Sequence, residues 1–324
     1  MTNPKILELI GNTPLVKLCK IPKNPKADIY AKLEFLNPSG SVKDRMAKYM
    51  IECAELTGAL KPGGTIVENS SGNTGASLAM ISAIKGYKCI ITMPDKMSDE
   101  KMNLMQAFGA RVIVTPTDVP ADSPESYYSV AKKIAKETPN SYYPDQYNNP
   151  KNIEAHYKTT GPEIWEQTKG KVDIVVAGIG TGGTLSGAAR FLKEQNPKIQ
   201  IIAVDPIGSI FYDYFKTKTL IKSKIYQLEG IGEDFLVKAL DFNILDDIVQ
   251  VTDRDSFLMT RRLVKEEGLF VGGSSGAAVW AVLKIAENLK THKNIVVILP
   301  DSGNRYLSKI FNDDWMKKNG HIES

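Results

Sequence analysis

The stretch I-Y-A-K-L-E-F-L-N-P-S-G-S-V-K-D-R-M-A-K, residues 29–48, decides the fold of this chain. Apolar residues alternate with polar ones over its first seven positions, which predicts a strand with one buried face. Asn-Pro-Ser-Gly then predicts a turn, because proline fixes one φ and glycine reaches conformations closed to other residues. Ser41 has the character of an N-cap, so the sequence predicts a helix whose first turn contains Lys43.

Lys43 is the first candidate for chemistry. A cation at a helix N-terminus faces the positive end of the helix dipole, which lowers the pKa of the amine and favours its neutral form. A neutral amine is what a Schiff-base lysine requires. A single lysine after a turn is more often an ordinary solvated side chain, so the assignment depends on the rest of the chain.

Composition narrows the class of protein. At 324 residues, the chain exceeds one ordinary core, and its 42% hydrophobic and 24% charged residues describe a globular protein. A net charge of only +4, with acids and bases interleaved, gives no indication of nucleic-acid or membrane binding. The chain begins without a long apolar segment, so we expect a cytoplasmic protein. The three cysteines and three histidines show no disulfide or metal-ligand spacing, and we expect no metal.

Strand and helix patterns alternate along most of the chain. This rhythm predicts an α/β fold with a parallel, doubly wound sheet and ligands at the carboxyl ends of its strands. Residues 116–160, around one helix at 127–137, are expected to form a crossover and active-site rim. Residues 208–240 are expected to be irregular.

A glycine-rich turn, Gly180-Thr181-Gly182-Gly183-Thr184, lies between a predicted strand and helix. Backbone N–H groups and the helix dipole make such a turn a phosphate site. Together with Gly178, the same turn fits the dinucleotide fingerprint, and Asp205 ends the next strand where a ribose-binding acid belongs. An NAD-dependent dehydrogenase is therefore the alternative.

Two further turns, S-S-G-N-T-G at 70–75 and G-G-S-S-G at 272–276, also open helices. Their hydroxyls and N–H groups suit an anion such as a substrate carboxylate, although serine and glycine at these places are also ordinary capping residues. With the turns after Phe35 and Pro300, we expect these loops to meet at one edge of one sheet.

The order N-P-S-G-S-V-K-D-R, S-S-G-N-T-G, G-T-G-G-T, E-G-I-G and G-G-S-S-G resembles the fold-type II pyridoxal-phosphate enzymes of the cysteine synthase and cystathionine β-synthase family. The resemblance covers about residues 6–320. Motifs such as P-N-S-Y-Y-P-D-Q-Y and E-G-I-G-E-D-F are closest to the cystathionine β-synthase catalytic core.

The resemblance implies a role for each matching residue. Lys43 is similar to the Schiff-base lysine, Asn73 to the residue that hydrogen-bonds the cofactor's phenolic oxygen, and Ser274 to the residue facing the pyridine nitrogen. A neutral hydroxyl there favours β-elimination over transamination. The phosphate site would comprise Gly180, Thr181, Gly182, Gly183 and Thr184. The substrate site would comprise Ser70, Ser71, Gly72, Thr74, Gln146 and Gly230.

The resemblance also implies the architecture and the reaction. The fold would have two intimate three-layer domains, a large cofactor-binding one at 1–41 and 150–324 and a smaller mobile one at 42–149. The chain would be a homodimer. It would catalyse β-replacement on serine, O-acetylserine or cysteine through an aminoacrylate, using a thiol, sulfide or water, to make cysteine, cystathionine or lanthionine or to release hydrogen sulfide.

Glu233 departs from the family pattern, because cystathionine synthases usually carry an aromatic residue there. One interpretation is a solvated surface glutamate. The other is a carboxylate base at the pocket mouth that activates the second nucleophile. Such a base would favour cysteine as the β-donor, with release of hydrogen sulfide and formation of serine or lanthionine, and its charge would disfavour cystathionine formation by repelling the carboxylate of homocysteine.

Overall fold

The computed structural model describes residues 5–22, 24, 26–120 and 122–323. Residues 1–4, 23, 25 and 324 of the predicted large domain, and residue 121 of the smaller one, lie outside the described residues. The strands are β1 (Leu15–Lys17), β2 (Ala27–Leu33), β3 (Thr65–Asn69), β4 (Lys88–Pro94), β5 (Arg111–Thr115), β6 (Ser141–Tyr142), β7 (Ile174–Gly178), β8 (Gln200–Pro206), β9 (Asp247–Val251) and β10 (Lys293–Leu299).

Helices connect these strands. They are α1 (Lys43–Leu56), α2 (Asn73–Lys85), α3 (Asp99–Ala107), α4 (Tyr127–Glu137), α5 (Lys151–Lys158), α6 (Thr160–Gln167), α7 (Gly183–Gln195), α8 (Phe211–Thr217), α9 (Asp253–Arg262), α10 (Gly273–Glu287) and α11 (Asp313–Lys318). Short 3₁₀ segments lie at Ile6–Leu9, Glu34–Leu36, Phe242–Ile244 and Gly303–Tyr306, and a π-helical turn lies at Leu263–Glu267.

The strands form two sheets. The larger has the order β1-β2-β10-β7-β8-β9 and the smaller β5-β4-β3-β6. Neighbouring strands are parallel except for β1, which is antiparallel to β2. The predicted α/β class with mostly parallel sheets is confirmed.

Both faces of the larger sheet are covered. Ile295 and Val297 of β10 belong to one hydrophobic cluster, and Val296 and Ile298 belong to another on the opposite face. A strand buried on both faces has no polar side, which explains the continuous apolar run I-V-V-I-L. A third cluster, built around α2 and β4, forms the core of the smaller sheet.

The expectation that all the glycine- and serine-rich loops share one sheet is wrong. The loop at 70–75 follows β3 of the smaller sheet, whereas the loop at 179–183 follows β7 of the larger one. The loops at 70–75 and 180–184 nonetheless line one cavity, although no residue of the loop at 272–276 lines it. The domain boundaries at 41/42 and 149/150 stay a prediction.

Helices occur in two stretches where the sequence did not predict them. Helix α5 and the start of α6 fall inside 116–160, and α8 falls inside 208–240. Tertiary packing explains α5, which lies so close to α7 that a Cβ on Gly187 would be 2.2 Å from the carbonyl oxygen of Ile153. Within the described residues, no helix is both long and apolar enough to cross a membrane.

Candidate active site

A cavity of roughly 570 Å³ lies between the carboxyl ends of the two sheets. The predicted residues that line it are Lys43, Ser70, Ser71, Asn73, Thr74, Gln146, Gly180, Thr181, Gly230 and Glu233. A smaller cavity of about 30 Å³ shares Lys43, Gly180, Thr181 and Gly230 with it and also contacts Gly182 and Thr184. Gly72, Gly183 and Ser274 line neither cavity.

Lys43 lies at the first position of α1, as predicted. Ser41 Oγ accepts a hydrogen bond from the Lys43 backbone N at 3.3 Å, but the residue before the helix, Val42, already has helical φ and ψ. Burial lowers the pKa of Lys43 below its ordinary value, partly offset by Asp301 and Glu233. Burial rather than the helix terminus is thus the main cause.

The loop at 180–184 leads into the N-terminus of α7. Gly182 has a left-handed φ of 82°, and a Cβ there would lie 2.4 Å from Leu240 Cβ. A Cβ on Gly183 would lie 2.1 Å from Asn152 Oδ1, and the Asn152 amide donates to Thr181 Oγ1 at 3.1 Å. These close approaches require glycine and leave backbone N–H groups at a helix N-terminus, which suits a phosphate group.

His156 has contacts typical of a structural residue. Its Nε2 lies 3.1 Å from Thr184 Oγ1, and its Nδ1 lies 2.8 Å from Thr160 Oγ1. Burial, followed by the positive charge of Arg45, lowers the pKa of His156 to about 3. The imidazole therefore stays neutral and orients Thr184 beside the smaller cavity.

The loop at 70–75 forms another wall. Ser70 Oγ accepts hydrogen bonds from the backbone N of Gly72 at 3.1 Å and of Gly75 at 2.9 Å, so Ser70 satisfies N–H groups at the start of α2 although Gly72 occupies the N-cap position. Thr74 Oγ1 donates to Gln146 Oε1 at 2.7 Å, and Gln146 Nε2 donates to the Asn69 carbonyl at 3.1 Å. Capping and cavity lining are thus combined in one loop.

Asn73 points toward the same cavity. Its Nδ2 donates to Asp301 Oδ2 at 2.8 Å, and the Tyr306 hydroxyl donates to the same oxygen at 2.7 Å. Asn73 Oδ1 and Asp301 Oδ1 are buried without hydrogen-bond partners among the described residues. A buried amide with an unused oxygen and an unused Nδ2 proton can accommodate a polar ligand.

Ser274 is buried in the first turn of α10, beside Ser275. Ser275 Oγ is buried without a hydrogen-bond partner in the described part of the chain. The two adjacent hydroxyls remain candidates for the same contact with the cofactor ring.

Glu233 is half-buried and lines the larger cavity. Burial and the neighbouring Asp234 raise its pKa to about 8, although Tyr147 and Lys96 act in the opposite direction. A carboxyl group with this pKa is mostly protonated at neutral pH. Its half-buried position in the cavity wall does not fit the interpretation as a solvated surface glutamate. Because the carboxyl group is mostly protonated at neutral pH, it should repel the carboxylate of homocysteine less than expected.

Asp205 has the wrong environment for a ribose-binding acid. It is buried, and its Oδ2 accepts a hydrogen bond from the Tyr212 backbone N at 3.0 Å. Burial raises its pKa to about 7. It does not line the larger cavity, so the geometry does not favour the dehydrogenase alternative.

The residues present fit pyridoxal phosphate. The cavities bring together an amine with a lowered pKa, a glycine-rich helix N-terminus and a buried amide with unused hydrogen-bonding capacity. Within the described ranges, Lys43 Nζ forms no ion pair. No cluster of metal-ligating side chains occurs among the described residues, and the three cysteines are free thiols.

A group of charged side chains that lines the larger cavity was not predicted from the sequence. Lys101 and Lys309 both donate to the carboxylate of Glu229, the first residue of E-G-I-G. The two lysines come from segments that carry no recognisable motif. The Asp-Ser-Gly-Asn-Arg turn that contains Asp301 was visible as a loop, but not its contact with Asn73.

Residues 6–301 match the model of the family described as pyridoxal-phosphate dependent enzyme. The chain is 52% identical over 322 residues to a cystathionine β-synthase of Apis mellifera, which covers 99% of this chain and 64% of the relative. It is 49% identical to that of Saccharomyces cerevisiae, covering 97% of this chain and 64% of the relative.

Among solved structures, an O-acetylserine-dependent cystathionine β-synthase of Helicobacter pylori is similar, with a TM-score of 0.88 and 40% identity. This match covers 95% of this chain and 98% of the other. The chain spans about 64% of the length of the two curated relatives above.

Proposed function

The chain belongs to the pyridoxal-phosphate-dependent enzyme family, and we propose that it catalyses β-replacement on serine, O-acetylserine or cysteine. The product is a sulfur amino acid: cysteine, cystathionine or lanthionine. With cysteine as the donor, the same reaction releases hydrogen sulfide. The printed names of the similar proteins support this class of reaction.

The observation that carries the proposal is the position of Lys43. It lines both cavities together with Gly180 and Thr181 of the glycine-rich loop, and burial lowers the pKa of its amine. A lowered pKa favours the neutral amine, which can bond covalently to a carbonyl compound and can accept and return a proton.

When bound, pyridoxal phosphate supplies an electron sink that stabilises negative charge on the substrate's α-carbon. We assign Lys43, Asn73, Ser274 and the N–H groups of 180–184 to its binding. Lys43 would accept the α-proton of the substrate on its Nζ atom. The neutral hydroxyl of Ser274 or Ser275 leaves the ring nitrogen largely unprotonated.

The loop at 70–75 and Gln146 bind the substrate carboxylate. Ser71 and Asn73, the first residue of α2, line the cavity, and an anion is stabilised at such a helix N-terminus. Gly72 has a φ of 147°, which lets the chain turn sharply there. Gly230 lines the cavity on the opposite side.

Glu233 acts in the second half of the reaction, where it accepts the proton of the incoming water or thiol. A pKa of about 8 suits a base that works near neutral pH. This assignment favours cysteine as the donor.

Product analysis tests the proposal. The purified protein is mixed with serine, O-acetylserine or cysteine, each with and without homocysteine, and the products are identified by mass. Borohydride reduction followed by peptide mapping should place the cofactor's mass on Lys43. A colourless protein that binds NADH and forms none of these products would instead support a dehydrogenase.

The resemblance supports three finer proposals. The chain forms a homodimer, it works in the cytoplasm, and its smaller domain at 42–149 moves relative to the rest. Sedimentation, cell fractionation and small-angle scattering with and without substrate test these in turn.

A further inference from the structure

A buried ion pair lies among the residues that line the larger cavity and has no part in the chemistry proposed above. Lys101 on α3 donates to one carboxylate oxygen of Glu229, and Lys309 donates to the other at 2.7 Å. The side chains of Lys101 and Glu229 are only 2% and 9% exposed. Burial alone would raise the pKa of Glu229, but the two lysines outweigh it and hold the pKa below its ordinary value.

The stem of Lys101 packs on the substrate loop. A Cβ on Gly72 would lie 2.5 Å from Lys101 Cδ and 3.1 Å from its Cγ. The Lys101 ammonium group lies 5.0 Å from the centre of the Tyr306 ring. The side chain is therefore held between the loop at 70–75 and Glu229, with little freedom to move.

The backbone around Glu229 packs on the phosphate loop. A Cβ on Gly180 would lie 2.9 Å from the carbonyl oxygen of Gly230, and the Gly232 backbone N donates to the Ile179 carbonyl at 2.7 Å. A displacement of Glu229 would therefore shift the backbone at 179–180.

From these contacts we propose that Lys101 and Glu229 are positioning residues that couple the loop at 70–75 to the glycine-rich loop at 180–184. Ordering of either loop stabilises the other through the ion pair and the packing at its two ends. The roles of the loops in binding substrate and phosphate rest on the proposed function; the mechanical coupling does not.

A second contact between the same parts of the chain provides a matched control. Glu100, also on α3, accepts hydrogen bonds from the backbone N and the Oγ of Ser308, both at 3.1 Å. Glu100→Gln weakens the docking of α3 without touching Glu229. A general fastening role for α3 would make Glu100→Gln and Glu229→Gln behave alike.

Amide hydrogen exchange on the cofactor-free protein tests the coupling. Glu229→Gln should speed exchange in peptides covering 72–76 about tenfold, the scale of a lost charge-assisted hydrogen bond. Lys101→Met should do the same at 179–184, which Lys101 does not touch. The charge-reversed double variant Lys101→Glu with Glu229→Lys should slow both regions again. Loosening confined to each variant's own loop, or an equal effect of Glu100→Gln, would overturn the proposal.

Steady-state kinetics extend the test to the protein loaded with pyridoxal phosphate. In Lys101→Met, the KM for serine should rise about tenfold with little change in kcat, because the lost contact positions the substrate loop. A fall in kcat at constant KM would contradict a positioning role. If the native protein binds no pyridoxal phosphate, the proposed function fails, and the exchange experiment still decides the coupling.

Discussion

The fold places an amine at Lys43 and lowers its pKa through burial. Asp301 and Glu233 act on it only through their charges, and neither forms an ion pair with it among the described residues. An amine in such surroundings is available to react rather than to hold the structure together. Substitution of this single residue therefore tests the proposed chemistry directly.

Lys43→Ala should abolish turnover and leave the fold intact. The loss should be at least about 10²- to 10⁴-fold, the size of general acid–base help alone. Borohydride should no longer attach the cofactor covalently. Lys48→Ala, on the same helix but outside the cavities, should keep both activity and trapping. Near-normal turnover in Lys43→Ala would remove Lys43 from the mechanism.

Ser274→Asp should slow β-replacement by about 3 kcal/mol of barrier, because a carboxylate would stabilise a proton on the ring nitrogen and would change the preorganised site. The measurement is steady-state turnover together with the absorbance of the bound cofactor. Ser275→Ala is the matched control: its hydroxyl has no partner among the described residues. Should the absorbance shift in Ser275→Ala and not in Ser274→Asp, Ser275 faces the ring.

Glu233→Gln should slow steady-state sulfide release from cysteine about 10²-fold or more while single-turnover loss of the β-substituent stays nearly intact. A base must be deprotonated to act, and the pKa of Glu233 is about 8. The native rate should therefore rise with pH through this range, and the variant's rate should not. Asp234→Asn is a control for loss of a neighbouring charge. Unchanged sulfide release and unchanged homocysteine use would show that Glu233 takes no part.

Elements differ in how well the sequence predicts them. Helices α1 and α7 follow from the turns before them, and β10 from its apolar run, because the causes are local. Helix α5 was not predicted: its position depends on close packing against Gly187 of α7. The ion pair of Lys101 with Glu229 joins residues 128 positions apart, a contact that no local pattern can indicate. The convergence of the loops at 70–75 and 180–184 was predicted, but their division between two sheets was not.

Gly182→Ala should weaken both folding and phosphate binding. Alanine must adopt a φ of 82° there, and its Cβ would lie 2.4 Å from Leu240 Cβ. Gly86→Ala is the matched control, because its φ is 77° with open space around the new Cβ. It should cost only about 1 kcal/mol of unfolding free energy. Denaturant unfolding and cofactor titration should show a larger loss in Gly182→Ala, and equal losses would show that the contact with Leu240 is readily relieved.

At the scale of the molecule, a buried charge cluster fastens α1 to the N-terminal strands and to α6. Arg45 donates to Glu34 at 2.7 Å and to Glu163 at 2.6 Å, and Lys32 donates to Glu163 at 2.6 Å. Two cations thus face two anions, all with little or no exposure. The cluster holds the helix that starts at Lys43 against the larger sheet, so it links stability to the site.

Arg45→Met should reduce the free energy of unfolding by about 3–5 kcal/mol, because it leaves buried carboxylates without their partner. Arg190→Met removes an exposed pair with Asp241 and should cost at most about 1 kcal/mol. Adding Glu34→Gln to Arg45→Met should recover part of the loss. Denaturant unfolding measures all three variants.

The pH dependence of the free energy of unfolding also tests the pairing of Arg45 with Glu34. Burial favours the neutral acid, but Arg45 and the hydrogen bond from Thr13 outweigh it and lower the pKa of Glu34 from 4.5 to about 2. The folded state therefore binds fewer protons than the unfolded state between these values, so native stability should fall as the pH drops from 4.5 toward 2. In Arg45→Met, the unpaired and buried Glu34 should instead have a raised pKa, and stability should fall as pH rises above 4.5. An unchanged acid limb in Arg45→Met would show that Glu34 draws its stabilisation from Thr13 and Lys32 rather than from the guanidinium group.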